Sequence, residues 1–289
     1  MDAPLKAPDF TLDATGAFHA AHGSPPRITA APRSQISVGA GGGAELRPYY
    51  EDAFVTLYHG DCRDVLPRLE MCDLLLTDPP YGAAYASNMS MTQSAPITND
   101  GTRVSLRLYR AVVPLINCRH WLWFTRWDAW PDVWEILASR MPIRGLLVWE
   151  KNSIGMGDLK HFGPSYELIA SAGYGNTTGK REGSVLRFDG VPPGRRVHPT
   201  EKPEAMMRYL IAKMGAETIL DPFAGGGATL MAAKALGKRA IGIECEENYC
   251  RAIADRLAQM MSFGGGGGGE ETPRTNSGAQ EENNRICDT

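Results

Sequence analysis

Short apolar runs alternate with helical patterns through the middle of this chain of 289 residues. Some runs, such as Leu74-Leu75-Leu76, are continuously apolar, which suits a strand in a sheet that is covered on both faces. The alternation therefore predicts an α/β layered fold, with a mostly parallel sheet and helices on both faces. The predicted strands are 54–59, 73–77, 121–125, 144–149, 166–170, 218–220 and 240–243, and the predicted helices are 104–116, 129–139, 203–214, 228–236 and 246–261.

Two segments of different composition flank this predicted fold. Residues 1–46 are rich in Ala, Pro and Gly and have no sustained hydrophobic period, so we expect a flexible arm there. Residues 264–289 begin with six glycines and continue with polar residues, which predicts a disordered tail. The folded domain is then expected over residues 47–263, a length typical of a single domain.

Composition narrows the class of protein. The net charge of −3 gives no support for nucleic-acid binding, since such binders are usually basic. Six cysteines without CxxC spacing argue against a zinc site or a disulfide framework, so we expect no metal and a cytoplasmic location. Cys245 and Cys250 are interpreted as small buried thiols. No apolar run approaches the roughly 20 residues that span a bilayer and no secretory signal is present, so no membrane association is expected.

Local charge and aromatic residues are weaker signals. One stretch is locally basic, and from charge alone a solvated surface loop is the favoured interpretation; its basic residues are Lys180, Arg181, Arg187, Arg195, Arg196 and Lys202. The six tryptophans could suggest a platform for stacking bases. Core packing is the better interpretation for most of them, because several lie in apolar strand runs or at helical spacing.

The first chemically informative stretch is Asp78-Pro79-Pro80-Tyr81, which follows the apolar run 74–76. Two prolines make the loop rigid and remove two backbone donors, so that backbone carbonyls and the Asp78 carboxylate are available as acceptors. Acceptors beside an aromatic face suit an amino group on a planar ring, on which Tyr81 would stack. A plain proline-stiffened turn is an equal alternative when this tetrapeptide is taken alone.

The second informative stretch runs from a strand at 218–220 through Asp221 into Gly225-Gly226-Gly227, which opens a helix. Such a loop brings backbone close to a ligand and directs helix N–H groups at it. The next predicted strand ends in Glu244, where a carboxylate could bind ribose hydroxyls. A tight turn and a nicotinamide-dependent oxidoreductase are the alternatives. The oxidoreductase is disfavoured because the third glycine of its fingerprint is missing and little sequence follows, and a phosphate-binding P-loop lacks its Gly-Lys-Ser/Thr.

Together these stretches resemble the DNA amino-methyltransferases. The catalytic signature of that family is Asp/Asn/Ser-Pro-Pro-Tyr/Phe/Trp, and its cofactor loop is Asp-Pro-Phe-x-Gly-x-Gly-Thr. The matching residues are Asp78–Tyr81 and Asp221–Thr229, with Ala228 in place of the usual Thr, and two further similar pieces are His198-Pro199-Thr200-Glu201-Lys202-Pro203 and Leu57-Tyr58-His59-Gly60-Asp61-Cys62. The catalytic motif precedes the cofactor loop, which is the order of the β group.

The resemblance implies a Rossmann-like methyltransferase fold, S-adenosyl-L-methionine as cofactor, and methylation of an exocyclic amino group on a base flipped out of double-stranded DNA. The catalytic residues it implies are Asp78, Pro79, Pro80 and Tyr81. For the cofactor it implies Asp61 at the adenine edge, Glu244 at the ribose, Phe223, Gly225 and Gly227 around the methionine part, Asp221 at its amino group, Thr200 and Lys202 at its carboxylate, and Thr229 in the same loop.

Several alternatives stay open at this stage. Adenine N6 is the favoured target, because relatives with Asp in the first motif position are mostly adenine enzymes, but cytosine N4 uses the same geometry. Methylation of RNA or of a protein glutamine is disfavoured by the motif order, and a binding-only protein with an inactive site is the alternative of a different class. Target recognition is expected at 83–102 and 171–197. A cognate restriction endonuclease and a homodimer are both compatible with the resemblance.

Overall fold

The structure is a computed structural model that describes residues 10–12, 18–20, 46–81, 102–152, 162–163, 165–174, 176–198 and 200–262. Most of the predicted arm at 1–46 and the whole predicted tail at 264–289 lie outside these residues, as does most of the expected recognition segment at 83–102. Among the described residues, no helix combines the length and the apolar character needed to cross a membrane.

Eleven strands and six α-helices form the described part of the chain. The strands are β1 (Phe10–Leu12), β2 (Phe18–Ala20), β3 (Tyr50–Glu51), β4 (Val55–His59), β5 (Cys72–Thr77), β6 (Cys118–Thr125), β7 (Ile143–Glu150), β8 (Tyr166–Gly173), β9 (Val185–Arg187), β10 (Thr218–Asp221) and β11 (Arg239–Glu244). The helices are α1 (Cys62–Val65), α2 (Thr102–Val112), α3 (Trp130–Ala138), α4 (Glu204–Met214), α5 (Ala228–Ala235) and α6 (Glu247–Ser262).

Nine of the strands form one sheet in the order β3-β4-β11-β10-β5-β6-β8-β7-β9. Strands β4, β11, β10, β5 and β6 are all parallel to their neighbours in this row, whereas β8 is antiparallel to both β6 and β7. From β10 the chain continues to β11 on one side, and from β5 it continues to β6 on the other. The crevice beyond the carboxyl ends of β10 and β5 is therefore the topological switch point, where ligands bind in sheets of this kind.

Alternate side chains of β5 face two separate hydrophobic layers. Leu74 and Leu76 pack in the cluster that contains residues of α4, α5 and α6. Leu75 packs in the cluster that contains residues of α2 and α3. All three leucines are fully buried, which stabilises the fold by roughly 1.5–3 kcal/mol each. The continuous apolar run thus reflects a strand with helices on both of its faces, as predicted.

The predicted elements are confirmed, with bounds that differ from the observed ones by up to four residues. The short elements β3, α1 and β9 were not predicted, because two to four residues carry too little periodicity to be recognised. The antiparallel pair of β1 and β2 lies within the segment predicted to be a flexible arm.

The interpretation of the tryptophans is partly wrong. Trp121, Trp123 and Trp149 are buried as expected, but Trp127 is 65% exposed and Trp134 is 48% exposed. Trp134 packs edge-on against Trp130, with 5.5 Å between the ring centroids, and of the two only Trp130 packs against the core. Similarly, Cys250 is buried and Cys245 is exposed, which corrects the interpretation of both as buried thiols.

Candidate active site

A pocket of about 320 Å³ opens at the switch point, a size within the range of small-molecule sites. Its wall includes Asp78 and Pro80 from the loop after β5. Opposite them it includes Phe223 and Gly225 from the loop after β10. The two motifs that are distant in sequence therefore face each other across one cleft, because parallel neighbouring strands end at the same edge of the sheet.

Backbone geometry shapes the glycine loop. Gly225 has φ of +51° and Gly227 has φ of +81°, a left-handed conformation that glycine adopts without steric cost. The Gly225 N–H donates to Glu244 Oε2 at 2.8 Å, and the Glu246 N–H donates to Oε1 of the same carboxylate at 2.8 Å. Glu244 thus joins the end of β11 to the glycine loop and still lines the pocket. Burial raises the pKa of this carboxyl, although the backbone donors oppose the shift.

Asp221 lies at the floor of the same pocket, buried at the end of β10. The Thr77 hydroxyl donates to its Oδ1 at 2.8 Å, and the Phe223 N–H donates to the same oxygen at 3.2 Å. Thr229 is a further hydroxyl partner. Burial raises the pKa of Asp221 to about 6, which these uncharged donors only partly counteract. An electronegative floor of this kind suits a ligand that carries positive charge.

Asp78 is the carboxylate at the opposite wall. Tyr81 donates its hydroxyl to one oxygen of Asp78, and the ammonium of Lys202 pairs with the other. Pro79 is buried beneath it, and the Pro80 carbonyl accepts a hydrogen bond from the Tyr109 hydroxyl at 2.5 Å. Burial raises the pKa of Asp78, and Lys202 opposes that shift. The loop after β5 is thus fixed by its prolines, by its own Tyr81 and by side chains from two other parts of the chain.

Lys202 lines the pocket, as the resemblance implies, but it is buried and is not part of a solvated surface loop. It is 3% exposed, whereas the sequence analysis counted it within a solvated basic stretch. Its ammonium meets Asp78, the Glu167 carboxylate at 3.2 Å and the Thr200 carbonyl at 3.3 Å. It also lies 5.4 Å from the ring centroid of Tyr81. The carboxylates of Asp78 and Glu167 outweigh the effect of burial and raise the pKa of Lys202. The Lys202 side chain therefore belongs to the wall of the pocket that carries Asp78.

Most of the predicted site residues line the large pocket: Asp61, Asp78, Pro80, Thr200, Lys202, Asp221, Phe223, Gly225, Thr229 and Glu244. Pro79, Tyr81 and Gly227 are not among its lining residues. A Cβ on Gly227 would lie 2.9 Å from the Ile253 side chain, so this glycine is required by packing and by its backbone torsion. Tyr81 borders a second cavity of about 50 Å³, together with Tyr109, Asp128 and Asp132.

The Asp61 side chain has local partners as well as a place on the pocket wall. It accepts a hydrogen bond from the Arg63 N–H at 2.8 Å, which caps the N-terminus of α1. The Arg63 guanidinium also pairs with it, and this arginine lowers the pKa of the Asp61 carboxyl.

No site role was predicted from sequence for several residues in and around the pocket, although His198 and Glu201 lie in one of the motifs that carry the resemblance. Glu167 and Lys151 form an ion pair beside Lys202, with 2.5 Å between Oε1 and Nζ. His198 lies on the pocket wall, 4.7 Å from the ring centroid of Tyr249, and burial lowers its pKa to about 4. Arg256 bridges Glu201, at 2.8 Å, and the Gly226 carbonyl. Glu167 and Lys151 carried no motif signal, because each is a single charge at a strand end.

Comparison with known proteins agrees with this geometry. Residues 173–255 match a family model described as DNA methylase. The type II methyltransferase M2.LlaDCHI of Lactococcus lactis subsp. cremoris is 26% identical over 266 residues, which cover 78% of this chain and 97% of that protein.

Two solved structures share the fold. The M1.HpyAVI–SAM complex has a TM-score of 0.55 and 22% identity, over 71% of this chain and 100% of that one. The cytosine-N4-specific PvuII DNA methyltransferase has a TM-score of 0.59 and 12% identity, over 73% and 88%. The fold is thus the predicted Rossmann-like methyltransferase fold.

Taken together, sequence and fold support an amino-methyltransferase of DNA of the restriction–modification type, and the resemblance seen in the four motifs is confirmed. S-adenosyl-L-methionine is the cofactor of this class, as predicted. The pocket suits it, because the carboxylates of Glu244 and Asp221 can face its hydroxyls and its positive groups, while Phe223 and Ile243 supply apolar surface. The comparisons support methylation of an amino group without distinguishing adenine N6 from cytosine N4.

Proposed function

We propose that this protein transfers the methyl group of S-adenosylmethionine to the exocyclic amino group of a base flipped out of double-stranded DNA, with adenine N6 as the favoured target. The observation that carries the proposal is the shared pocket, in which Asp78 faces the glycine loop around Gly225. This arrangement brings an acceptor for an amino group and a site for a sulfonium cofactor to one cleft.

The wall of the pocket that carries Asp78, here named the catalytic wall, acts by positioning the target base. The amino nitrogen of adenine is a poor nucleophile because its lone pair is delocalised into the ring. Asp78 and the Pro79 carbonyl accept its two N–H bonds, which localises the lone pair and directs it at the methyl group. In-line transfer then requires alignment and electrostatic stabilisation without a covalent intermediate. Lys202 opposes the effect of burial on the pKa of Asp78 and so favours the ionised form, which only accepts hydrogen bonds.

Tyr81 supplies the stacking surface for the flipped base. Its hydroxyl is held by Asp78, so the orientation of the ring is fixed before the base arrives. Stacking of this kind is worth about 1–3 kcal/mol and offsets part of the cost of removing a base from the duplex. The small cavity beside Tyr81 lies next to the catalytic loop and marks the side from which the base approaches.

The opposite wall, which carries the glycine loop around Gly225 and is here named the cofactor wall, binds each part of the cofactor through different residues. Glu244 binds the ribose hydroxyls and Asp61 the edge of the adenine. Asp221 meets the amino group of the methionine part, and Phe223 and Gly225 shape the pocket around it. Thr200 approaches its carboxylate, with Thr229 supporting the loop from beneath through a hydrogen bond to the Leu76 carbonyl at 3.4 Å.

Recognition of the DNA sequence is assigned to the segments at 83–102 and 171–197, which lie within the methyltransferase domain at 47–263. The described part of the second segment contains β9 and exposed basic residues. Arg187 is one of them, in an exposed pair with Glu150 at 2.9 Å. A partner endonuclease and a homodimer, both compatible with the resemblance, also belong to the proposal.

A single experiment tests both the reaction and the target base. Unmethylated DNA is incubated with the protein and S-adenosylmethionine carrying a labelled methyl group, digested to nucleosides and analysed by mass spectrometry. Labelled N6-methyldeoxyadenosine is expected. Labelled N4-methyldeoxycytidine would instead identify cytosine as the target base, which is the target stated for the PvuII enzyme that shares the fold. DNA binding without any labelled nucleoside would identify a binding-only protein and refute the proposal.

A further inference from the structure

Four buried or half-buried charges follow one another from the rim of the site to the catalytic carboxylate. Lys151 Nζ lies 2.5 Å from Glu167 Oε1, Glu167 Oε2 lies 3.2 Å from Lys202 Nζ, and Lys202 pairs with Asp78. Their side chains are 23%, 16%, 3% and 17% exposed in that order. The charges alternate in sign, so the row is neutral as a whole.

Glu167 is the member of this row whose presence the reaction does not explain. It is not among the residues that line the cofactor pocket. It stands at the start of β8, which is antiparallel to β6 and therefore begins at the edge where β5 ends. A buried carboxylate costs free energy unless it is paired, and here both of its oxygens are engaged by lysines.

We propose that Glu167 is a positioning residue of the methyl transfer, which holds the Lys202 ammonium and the Tyr81 hydroxyl in the places where both meet Asp78, with Lys151 holding Glu167 in turn. This inference rests on the proposed function, since it concerns the catalytic role of Asp78.

All three N–H donors of the Lys202 ammonium have acceptors around them. An ammonium has three donors, and the three acceptors around this one are Asp78, Glu167 and the Thr200 carbonyl. A flexible four-carbon stem gains a single orientation only when all three donors are occupied. Without Glu167, the ammonium would have one donor free in a buried place and could turn away from Asp78.

Tyr81 gives a second, independent link between the same residues. Its hydroxyl donates to Asp78, and Glu167 Oε2, 3.3 Å from the hydroxyl oxygen, is a second and weaker acceptor for the same proton. Glu167 thus contacts both groups that hold the Asp78 carboxylate, one on each of its oxygens. A side chain with only a packing role would not be expected to reach both partners of one catalytic group.

The pH dependence of the transfer rate distinguishes this role from a purely structural one, because a structural role would not shift it. The charged and titratable groups that face Asp78 are Lys202 before α4, Glu167 on β8, Tyr81 on its own loop and Asp221 on β10. Glu167 raises the pKa of Asp78 by its negative charge. Removing that charge therefore lowers the pKa of Asp78, and removing the positive charge of Lys151 has the opposite effect. Transfer requires ionised Asp78, so these shifts move the acid limb of its pH profile.

The test measures single-turnover methyl transfer against pH, at saturating DNA and S-adenosylmethionine, for Glu167→Gln, Lys151→Met and the double variant. Glu167→Gln is expected to lower the rate roughly tenfold at neutral pH and to shift the acid limb to lower pH. Lys151→Met is expected to shift the limb to higher pH, and the double variant should lie between the two. Cofactor affinity, measured by titration calorimetry, should change less than about twofold.

The matched control is Glu217→Gln before β10, because Glu217 is exposed and pairs with Lys238 outside the row. It should leave both rate and limb unchanged. Shifts in the same direction, or none, in folded variants would overturn the inference. If Glu167→Gln does not fold, Lys151→Met decides alone, since an unmoved limb there also refutes it. A wild-type protein without transfer would instead refute the proposed function.

Discussion

The two walls of the pocket are held in place by different physical means. On the catalytic wall, Asp78 and Lys202 are fixed by a row of buried charges that come from separate parts of the chain. On the cofactor wall, the glycine loop is fixed by backbone torsions and by backbone N–H groups that donate to Glu244. The first wall depends on charge balance and the second on the path of the backbone.

Two buried carboxylates illustrate this difference. Burial raises the pKa of Glu167, but two lysines outweigh burial and the net shift is downward. Asp221 is more deeply buried and has only uncharged donors, so its pKa rises to about 6. The two carboxylates therefore shift in opposite directions, because Glu167 has two lysines beside it and Asp221 has none. Isosteric changes of charge should damage the catalytic wall most, and changes of size the cofactor wall.

The largest expected effect is that of Asp78→Asn on turnover. The substitution keeps the shape of the side chain but removes the charge that faces Lys202, so we expect turnover to fall by about 10²–10³-fold. Cofactor affinity should be nearly unchanged, because the opposite wall is intact. Steady-state kinetics and calorimetry measure the two quantities.

Asp64→Asn is the control for this change, since Asp64 is exposed on α1 outside the pocket. Turnover within about threefold of the wild type in Asp78→Asn would show that charge on this wall is dispensable, and the contrast between the walls would lose its basis.

The second prediction concerns stability against pH and Asp221. Its pKa is about 6 in the folded protein and 3.8 in an unstructured chain, so between these values the folded state binds a proton that the unfolded state has released. Stability from this group is therefore lost as pH rises from about 4 to about 6. Asp221→Asn removes the loss, and its stability relative to wild type should improve by up to about 3 kcal/mol over this range.

Urea unfolding of both proteins at several pH values measures that difference. His198, whose pKa is lowered to about 4, titrates in both proteins and cancels in the comparison. If the stability difference does not change with pH, Asp221 is ionised throughout this range, and other groups of the cofactor wall compensate for its buried charge.

Glu244 is expected to have a smaller effect, confined to cofactor binding. Glu244→Gln keeps an acceptor for the Gly225 N–H but removes the charge that we propose binds the ribose hydroxyls, so we expect an affinity loss of about tenfold. Calorimetry with S-adenosylmethionine provides the measurement.

Glu247→Gln is the matched control, because Glu247 is exposed near the start of α6 and pairs only locally with Arg251 at 3.2 Å. Equal affinities of the Glu244 and Glu247 variants would remove Glu244 from the cofactor site.

The smallest expected effect is a loss of stability in Gly242→Ala. A Cβ on Gly242 in β11 would lie 2.6 Å from Leu230 Cδ1 in α5, and this leucine is fully buried. Because the conflict is with the end of a side chain, we expect a cost of about 1 kcal/mol. Thermal unfolding measures it.

Gly145→Ala in β7 is the control for this change, since its Cβ would meet nothing within 4 Å. If both alanine variants unfold at the same temperature, size is not the quantity that limits the cofactor wall.

The fold and the location of the site could be predicted from sequence because their signals are local. The run at 74–76 has the pattern of a doubly covered strand, and Asp78 and Gly225 stand in motifs of several residues each. Since the strands are parallel, knowing where each one ends was enough to bring the motifs together.

The details of the catalytic wall could not be predicted in this way. Lys202 was expected in the pocket, but its contacts with Asp78 and with Glu167, a residue on a distant strand, were not predicted. The register of β8 against β6 places Glu167 at the site, and no local pattern encodes that register. Likewise, the burial of Lys202 follows from the packing of the whole edge, whereas its immediate neighbours read as a basic surface stretch.

The strand order has a consequence for synthesis of the protein. Strand β4 has its sheet partners in β3 and β11, and β5 in β10 and β6, so both need strands from the last quarter of the chain. The Asp73 N–H at the start of β5 donates to the hydroxyl of Thr218, so this hydrogen bond cannot form until another 145 residues have been synthesised. At translation rates of about 5–20 residues per second, the wait is on the order of ten seconds. During that time the nascent chain carries apolar strands with unpaired edges, which makes it a natural client of chaperones on the ribosome.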